Sequence, residues 1–209
     1  MFKDRNDAGR QLAGELSRYT YTNGLVLGIP RGGVVVAAAV ADRLKLPLDV
    51  IVPRKIGVPG NPETAIGAVT EDGTAIYDDH LMHLLHLEKE DLQPHVAEVI
   101  AEIKRRTVLY RGERRIPNWQ GHAIILVDDG IATGYTTLAA LRSIKKHRPQ
   151  EIILAVPVAP PDTLAKLEPE VDRVVCLETP QHFYAVGQFY RDFDQTTDEE
   201  VIDLLRTYA

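Results

Sequence analysis

Two adjacent carboxylates, Asp128 and Asp129, directly follow the apolar run Ala123-Ile124-Ile125-Leu126-Val127. Gly130-Ile131-Ala132-Thr133-Gly134-Tyr135-Thr136-Thr137 comes next, ahead of a helix-forming stretch that runs to about Lys146. The two halves of this segment want different ligands. Paired carboxylates suit vicinal sugar hydroxyls or a hydrated Mg2+ ion, whereas hydroxyls and free backbone amides at a helix N-terminus suit a phosphate monoester. A 5-phosphoribosyl group offers both. The sequence contains no GxxxxGK[ST] pattern, so an ordinary P-loop is not available to it. Capping of the following helix is the structural alternative for the two acids.

Two further loops carry chemistry of their own. Pro30-Arg31-Gly32-Gly33 ends the apolar run 25–29. Its glycines let backbone amides approach phosphate oxygens without a side chain intervening, or serve only a tight strand-to-helix turn. Arg54-Lys55 follows the apolar run 48–52 and supplies fixed positive charge for a departing phosphate, or a plain solvated strand end. The loop from Gly57 to Glu63 is a candidate for closing over a substrate and excluding water. Glu63, its one carboxylate, either moves a proton at an acceptor or is a surface charge. Beyond the last apolar run, Phe183 and Tyr190 stand in the clusters 182–184 and 189–192, where a planar base could stack or an aromatic minicore form.

Two clusters read differently. His80, His83 and His86 repeat every three residues, but on a helix the first and third diverge by about 120°, which does not suit one metal ion. Lys104-Arg105-Arg106 with Arg111, Arg114 and Arg115 reads as a solvated helix end, and as an RNA-binding patch only secondarily.

Positioning these loops requires a repeating strand–loop–helix unit. Apolar residues near every fourth position predict an N-terminal helix over 5–19. Strands are expected at 25–29, 48–52, 123–127, 152–158 and 173–177, with helices to about Leu44, over 88–111, to about Lys146, and over 162–167. Glu71-Asp72-Gly73 marks the turn of a small hairpin, and Thr197 with Glu200 forms a capping box that starts a last helix over 198–206. The alternation implies an α/β fold: an open, mostly parallel twisted sheet with helices on both faces. It is expected as one domain over 1–209, with a core at about 24–177, a flap at about 55–77, and a small hood made by the N-terminal helix and 178–209. Ligands in such sheets bind at the carboxyl ends of the strands, where all three loops fall.

Composition narrows the function. The chain has 209 residues, 44% of them hydrophobic and 26% charged, enough to bury a core and unlike a disordered chain. A formal charge of −6 disfavours non-specific nucleic-acid binding. No apolar run reaches the ~20 residues that span a bilayer, and the first ten residues lack a signal core, so the expectation is a cytoplasmic protein with no membrane association. The single cysteine, Cys176, excludes an intramolecular disulfide and is expected as a buried thiol.

The segment 124–137 resembles the signature of the type I phosphoribosyltransferases: four apolar residues, two acids and a small-residue Thr/Gly loop. The resemblance implies that Asp128 and Asp129 hold the ribose hydroxyls of phosphoribosyl pyrophosphate and take part in binding Mg2+. It places Ala132, Thr133, Gly134, Thr136 and Thr137 around the 5-phosphate, with Gly130, Ile131 and Tyr135 of the same loop also among the substrate-binding residues. Pro30, Arg31, Gly32 and Gly33 lie where the family has its pyrophosphate loop, and Arg54 and Lys55 where it has cations facing the same leaving group. RGGVVVA, RKIGVPGNPETAIGAV, VDDGIATGYTT, VPVAPP and AVGQFYRDF together look like a group of predicted bacterial phosphoribosyltransferases whose acceptor is not established. The 6-oxopurine enzymes have an aspartate three residues after the second acid. Here that position is Ala132, as in the adenine and orotate branches, and Tyr135 stands where a small or polar residue is usual. What the resemblance implies is transfer of the 5-phosphoribosyl group to a nitrogenous acceptor, a nucleobase or related heterocycle, with Mg2+ as cofactor and a homodimer as assembly. A non-catalytic sensor of phosphoribosyl pyrophosphate or a nucleotide, acting on RNA or a protein partner, is the alternative.

Overall fold

The computed structural model describes residues 1–21, 23–112 and 118–208, with only the main chain at Pro62 and Glu63. Asp4 starts the first helix, α1 (Arg5–Leu16), by accepting a hydrogen bond from the Asp7 N–H at 2.7 Å. The chain then runs β1 (Gly24–Gly28), α2 (Gly32–Leu44), β2 (Leu48–Val50), β3 (Arg54–Val58), β4 (Asn61–Val69), β5 (Ala75–Tyr77), α3 (Asp79–Leu84) and α4 (Lys89–Arg111). Its second half runs β6 (Ala123–Val127), α5 (Tyr135–Lys146), β7 (Glu151–Val158), α6 (Pro161–Leu167), β8 (Arg173–Glu178) and α7 (Asp198–Tyr208). The Thr197–Glu200 capping box is present. Thr197 Oγ1 accepts from the Glu200 N–H at 3.1 Å and Glu200 Oε2 from the Thr197 N–H at 2.7 Å.

Five strands form one parallel sheet in the order β2-β1-β6-β7-β8. Alternate residues of its strands enter two separate cores. Val26, Val50, Ile125, Val127 and Ile153 pack with Leu12 and Leu16 of α1, Val36 and Val40 of α2, Ile103 of α4 and Val201 of α7. Leu25, Leu27, Ile124, Leu126 and Leu154 pack on the other face with Leu141 and Ile144 of α5 and Leu164 of α6. Helices therefore cover both faces, which is why the strands read as continuous apolar runs rather than alternating ones. The connection out of β1 leads through α2 to β2 on one side, while β6 lies on the other. The carboxyl ends of β1 and β6 thus flank the point where the strand order reverses, the place where such sheets open a ligand crevice.

The segment after Arg54-Lys55 differs from the expected long loop. It is a strand, and β3, β4 and β5 make a separate antiparallel sheet. Ile56 and Ile66 are fully buried in the first core, and that burial outweighs the local Gly and Pro signals. The break shrinks to Pro59-Gly60, with Gly60 at φ +79°, and a bulge near Gly57. The β4–β5 turn at 71–73 falls where the sequence places it, and Asp72 binds it together, accepting from the Thr70 hydroxyl at 2.6 Å and the Thr74 hydroxyl at 2.9 Å.

Smaller expectations also change. His86 lies beyond α3 at φ +53°, off the helix that carries His80 and His83. Cys176 is half-buried, because β8 is an edge strand, and burial pushes its thiol up to about 11. In the basic stretch, Arg105 and Arg106 both bind Glu102, and Arg111 is buried against Asp49. Arg114 and Arg115 lie outside the described residues. No helix among the described residues is long and apolar enough to cross a membrane.

Candidate active site

The acid pair and the glycine turn meet directly. Both carboxylates follow the buried end of β6, and Gly32 and Gly33 begin α2 right after β1, the strand paired with β6 in register Gly28 to Val127. The Ile29 N–H donates to the Val127 carbonyl at 2.9 Å, which carries the pairing one residue past the strand ends. A side chain at Gly33 would stand 2.8 Å from Asp128 Oδ1 and 2.9 Å from the Asp128 Cα, and one at Gly32 would run into Asp129 Oδ2. Glycine is required here by close approach of backbone to carboxylate, not by an unusual φ. The Pro30–Arg31 peptide is cis. Arg31 itself reaches toward α7, 3.9 Å from Asp198.

Asp128 accepts from the Asp129 N–H at 2.8 Å. Asp129 is held from a part of the chain that motif reading does not touch: Arg5 Nε donates to Asp129 Oδ2 at 2.7 Å, with side-chain exposures of 12% and 16%. Burial raises both carboxyls above the usual range. Repulsion by Asp129 adds to the shift at Asp128, while the Arg5 hydrogen bond opposes it at Asp129.

Asp128→Asn is the expected relief of that repulsion. Asparagine keeps the oxygen that accepts from the Asp129 N–H and removes one of two like charges. A carboxyl held above its unfolded value favours the folded state in acid. Its cost grows as pH rises from the ordinary carboxylate range through the raised value and is complete above it. The variant should therefore melt above the parent at neutral pH with chelator present. The gain should vanish in acid, and equal melting at neutral pH would show that the pair is unstrained.

The loop 130–137 is pinned from several sides. Gly130 is buried with no room for a side chain between Val186 and Val158. The Ile131 N–H donates to the Val158 carbonyl at 3.0 Å and the side chain is buried, so Ile131 serves the loop's anchorage and its amide is not free for a phosphate. The Thr163 hydroxyl donates to the Ala132 carbonyl at 2.7 Å. Gly134, at φ +82°, precedes α5 directly, a backbone that a β-carbon would strain. Ala132 and Thr133 are exposed, and the amides of Tyr135, Thr136 and Thr137 form the first helical turn, which has no intrahelical acceptor. The Thr137 hydroxyl is buried and, among the described residues, has no hydrogen-bond partner. The Tyr135 side chain does not serve the loop. Its hydroxyl donates to Asp78 Oδ2 at 2.7 Å and its ring packs near Ala68 and Ile76, joining α5 to the hairpin sheet.

Arg54 and Lys55 lie on β3 of the hairpin sheet. Arg54 Nη1 donates to Glu102 Oε1 at 3.2 Å, and Arg54 and Lys55 line a groove against His95 and Glu98 of α4. The bonds from Arg105 and Arg106 hold the Glu102 carboxyl down at about 2. Among the described residues, neither Arg54 nor Lys55 shares a hydrogen bond or ion pair with the acid pair. Glu63 falls on β4, and its side chain lies outside the described residues. Phe183 is half-buried and stacked on Phe189, centroids 5.4 Å apart. Tyr190 differs from its expected role as a base platform. It is 5% exposed, its ring sits against Phe2 and Phe193, and its hydroxyl donates to the Asp129 carbonyl at 2.5 Å. A cavity of about 290 Å³ between α4, α5 and the hairpin sheet, lined in part by Lys104, Trp119 and His147, shares no residue with the acid pair.

An open parallel sheet whose acid pair and glycine turn meet at the switch point has the type I phosphoribosyltransferase fold. The structure of TT1426 from Thermus thermophilus superposes with a TM-score of 0.84 at 40% identity, covering 100% of this chain and 99% of that one. A hypothetical protein from Neisseria gonorrhoeae, solved with bound ppGpp, shares the fold at a TM-score of 0.55 and 13% identity, covering 99% of this chain and 98% of its own. The chain belongs to the phosphoribosyl transferase domain family, which it matches over residues 2–194. A Mycobacterium tuberculosis H37Rv protein named "Putative phosphoribosyl transferase" is 46% identical over 206 residues, 98% of this chain, and its counterpart in strain CDC 1551 is equally similar. The chain spans about half the length of these curated relatives, 46% of each.

Proposed function

We propose that this protein transfers the 5-phosphoribosyl group of phosphoribosyl pyrophosphate to a nitrogenous acceptor, a nucleobase or related heterocycle, and releases pyrophosphate. The observation that carries the reading is the meeting of Asp128 and Asp129 with the Gly32-Gly33 turn, beside a helix N-terminus rich in threonine. The two halves of the β6–α5 loop take the two ends of the sugar phosphate. Ribose hydroxyls donate to Asp128 and Asp129. The 5-phosphate accepts from the exposed Ala132–Thr133 turn and from the first-turn amides of α5, and a phosphate oxygen gives the orphaned Thr137 hydroxyl a partner.

Departure of pyrophosphate from the anomeric carbon leaves an oxocarbenium-like ribose and puts growing negative charge on the leaving group. Backbone amides at Gly32 and Gly33, where no side chain fits, face that charge together with the positive end of α2. Arg31 stands in the same turn. For Arg54 and Lys55 to serve the leaving group, Arg54 must exchange Glu102 for pyrophosphate. Glu63 remains the candidate for a proton at the acceptor. Tyr190 positions Asp129 rather than stacking on a base, which leaves Phe183 as the stacking candidate.

The two carboxylates fit Mg2+. They are hard oxygen donors, buried side by side with like charges that a cation would offset. Asp128 and Asp129 would hold it with substrate and water completing its shell. When bound, the ion supplies neutralisation of phosphate charge.

The sensor reading lacks a comparable observation, since the described arginines of the basic stretch are already paired with Glu102 and Asp49. Incubation with phosphoribosyl pyrophosphate, Mg2+ and a panel of nucleobases and related heterocycles should release pyrophosphate only in the presence of at least one acceptor. Failure to bind phosphoribosyl pyrophosphate in calorimetry would overturn the proposal.

A further inference from the structure

The first residues of the chain and the segment 189–194 are laced together, and both arms end on Asp129. The Phe2 N–H donates to the Phe189 carbonyl at 2.8 Å, the Arg191 N–H to the Phe2 carbonyl at 3.0 Å, and the Asp192 N–H to the Lys3 carbonyl at 2.9 Å. From one arm Arg5 binds the Asp129 side chain, and from the other Tyr190 binds its carbonyl. Arg5 is itself braced. Its Nη1 donates to the Asp194 carbonyl at 2.7 Å, and its guanidinium lies 3.8 Å from the centre of the Phe193 ring. A planar cation fixed on three sides is preorganised, unlike a solvated surface arginine. The pair lies against the glycine turn, because a side chain at Gly32 would collide with both Arg5 Nε and Asp129 Oδ2.

We propose that Arg5 is a positioning residue of the sugar site: braced by Phe193 and Asp194, it fixes the Asp129 carboxylate through Oδ2, leaving Oδ1 to accept from the ribose. The inference rests on the reading of Asp129 as a ribose ligand. It adds that the site is completed by the N-terminal helix and by residues 189–194, not by the β6–α5 loop alone.

A double-mutant cycle tests this, with phosphoribosyl pyrophosphate and Mg2+ as the titrated ligand in calorimetry. Arg5→Ala should weaken binding about fivefold to tenfold in the parent, and change it less than about twofold in an Asp129→Asn background, because the group Arg5 acts through is then altered. Arg5→Lys should fall between, since lysine restores a charged donor but not the planar brace. Should Arg5→Ala fail to fold, Phe193→Leu removes the ring beneath the guanidinium, and its smaller loss should likewise vanish with Asp129→Asn. Equal losses in both backgrounds, or no loss in either, would overturn the role of Arg5 while leaving the sugar site standing. A parent protein that does not bind phosphoribosyl pyrophosphate would overturn both.

Discussion

Replacing Asp128 and Asp129 together by asparagine is expected to weaken binding of phosphoribosyl pyrophosphate by at least about tenfold. Hydrogen bonds from sugar hydroxyls to carboxylates are charge-assisted, each contributing ~1.5–3 kcal/mol, and asparagine keeps only the neutral part of each. The fold should survive. Removing the charge of Asp128 relieves the burial cost and the repulsion by Asp129 that raise its carboxyl, which offsets the loss of the ion pair between Arg5 and Asp129. A merely helix-capping pair behaves differently, because asparagine caps about as well as aspartate and the double variant then loses little. Calorimetry on parent and variant separates the two readings: unchanged affinity in a folded variant would sink the sugar-site assignment.

The second large effect concerns stability. Asp49 of β2 and Arg111 of α4 form an ion pair at 2.9 Å with side-chain exposures of 7% and 6%, and Arg111 Nη2 also donates to the Val50 carbonyl at 2.7 Å. Asp49 Oδ2 is buried with no hydrogen-bond partner among the described residues, so the carboxylate depends heavily on this arginine. Arg111→Met should cost about 3–5 kcal/mol, since it leaves a buried charge uncompensated. Against a total stability of about 5–15 kcal/mol, that is a drop of roughly 10 °C in melting temperature for a chain of this size. Asp49→Leu combined with Arg111→Met should recover most of it, because replacing both partners removes the orphaned charge. A single variant within about 1 kcal/mol of the parent in urea unfolding would show that solvent reaches Asp49. The pair ties α4 to the outer strand of the sheet, beside the hairpin sheet that carries Arg54 and Lys55, so loss of activity in the single variant is expected to track loss of fold.

The five sheet strands and the loops at their ends were legible because each is a local pattern. A strand buried on both faces must be continuously apolar, and the carboxyl ends of such strands are where acids, glycines and hydroxyls are free to serve a ligand. Asp128-Asp129 after Val127, and Gly32-Gly33 after Ile29, needed no tertiary information to be singled out. The strand at 54–58 was not legible, since Gly57, Pro59 and Gly60 are turn signals. The burial of Ile56 and Ile66 that overrides them exists only once α4 packs on the hairpin sheet. Tyr190 and Tyr135 show the same limit for side chains. An aromatic in a polar loop looks free to meet a ligand until Phe2, Phe193 and Asp78 are found against it.

What the sequence by itself determined was the identity of the chemistry-bearing loops and the parallel α/β frame that lines them up, because residue type and period act over a few neighbouring positions. Only the tertiary structure decided which cation meets the acid pair. Arg54, expected to face the leaving group, is bound to Glu102, whereas Arg5 reaches Asp129 across 124 positions of sequence. No local pattern encodes that pairing, because it follows from where α1 and the segment 189–194 dock on the sheet, and that docking is set by the burial of Phe2, Leu12 and Tyr190 rather than by the charges it brings together.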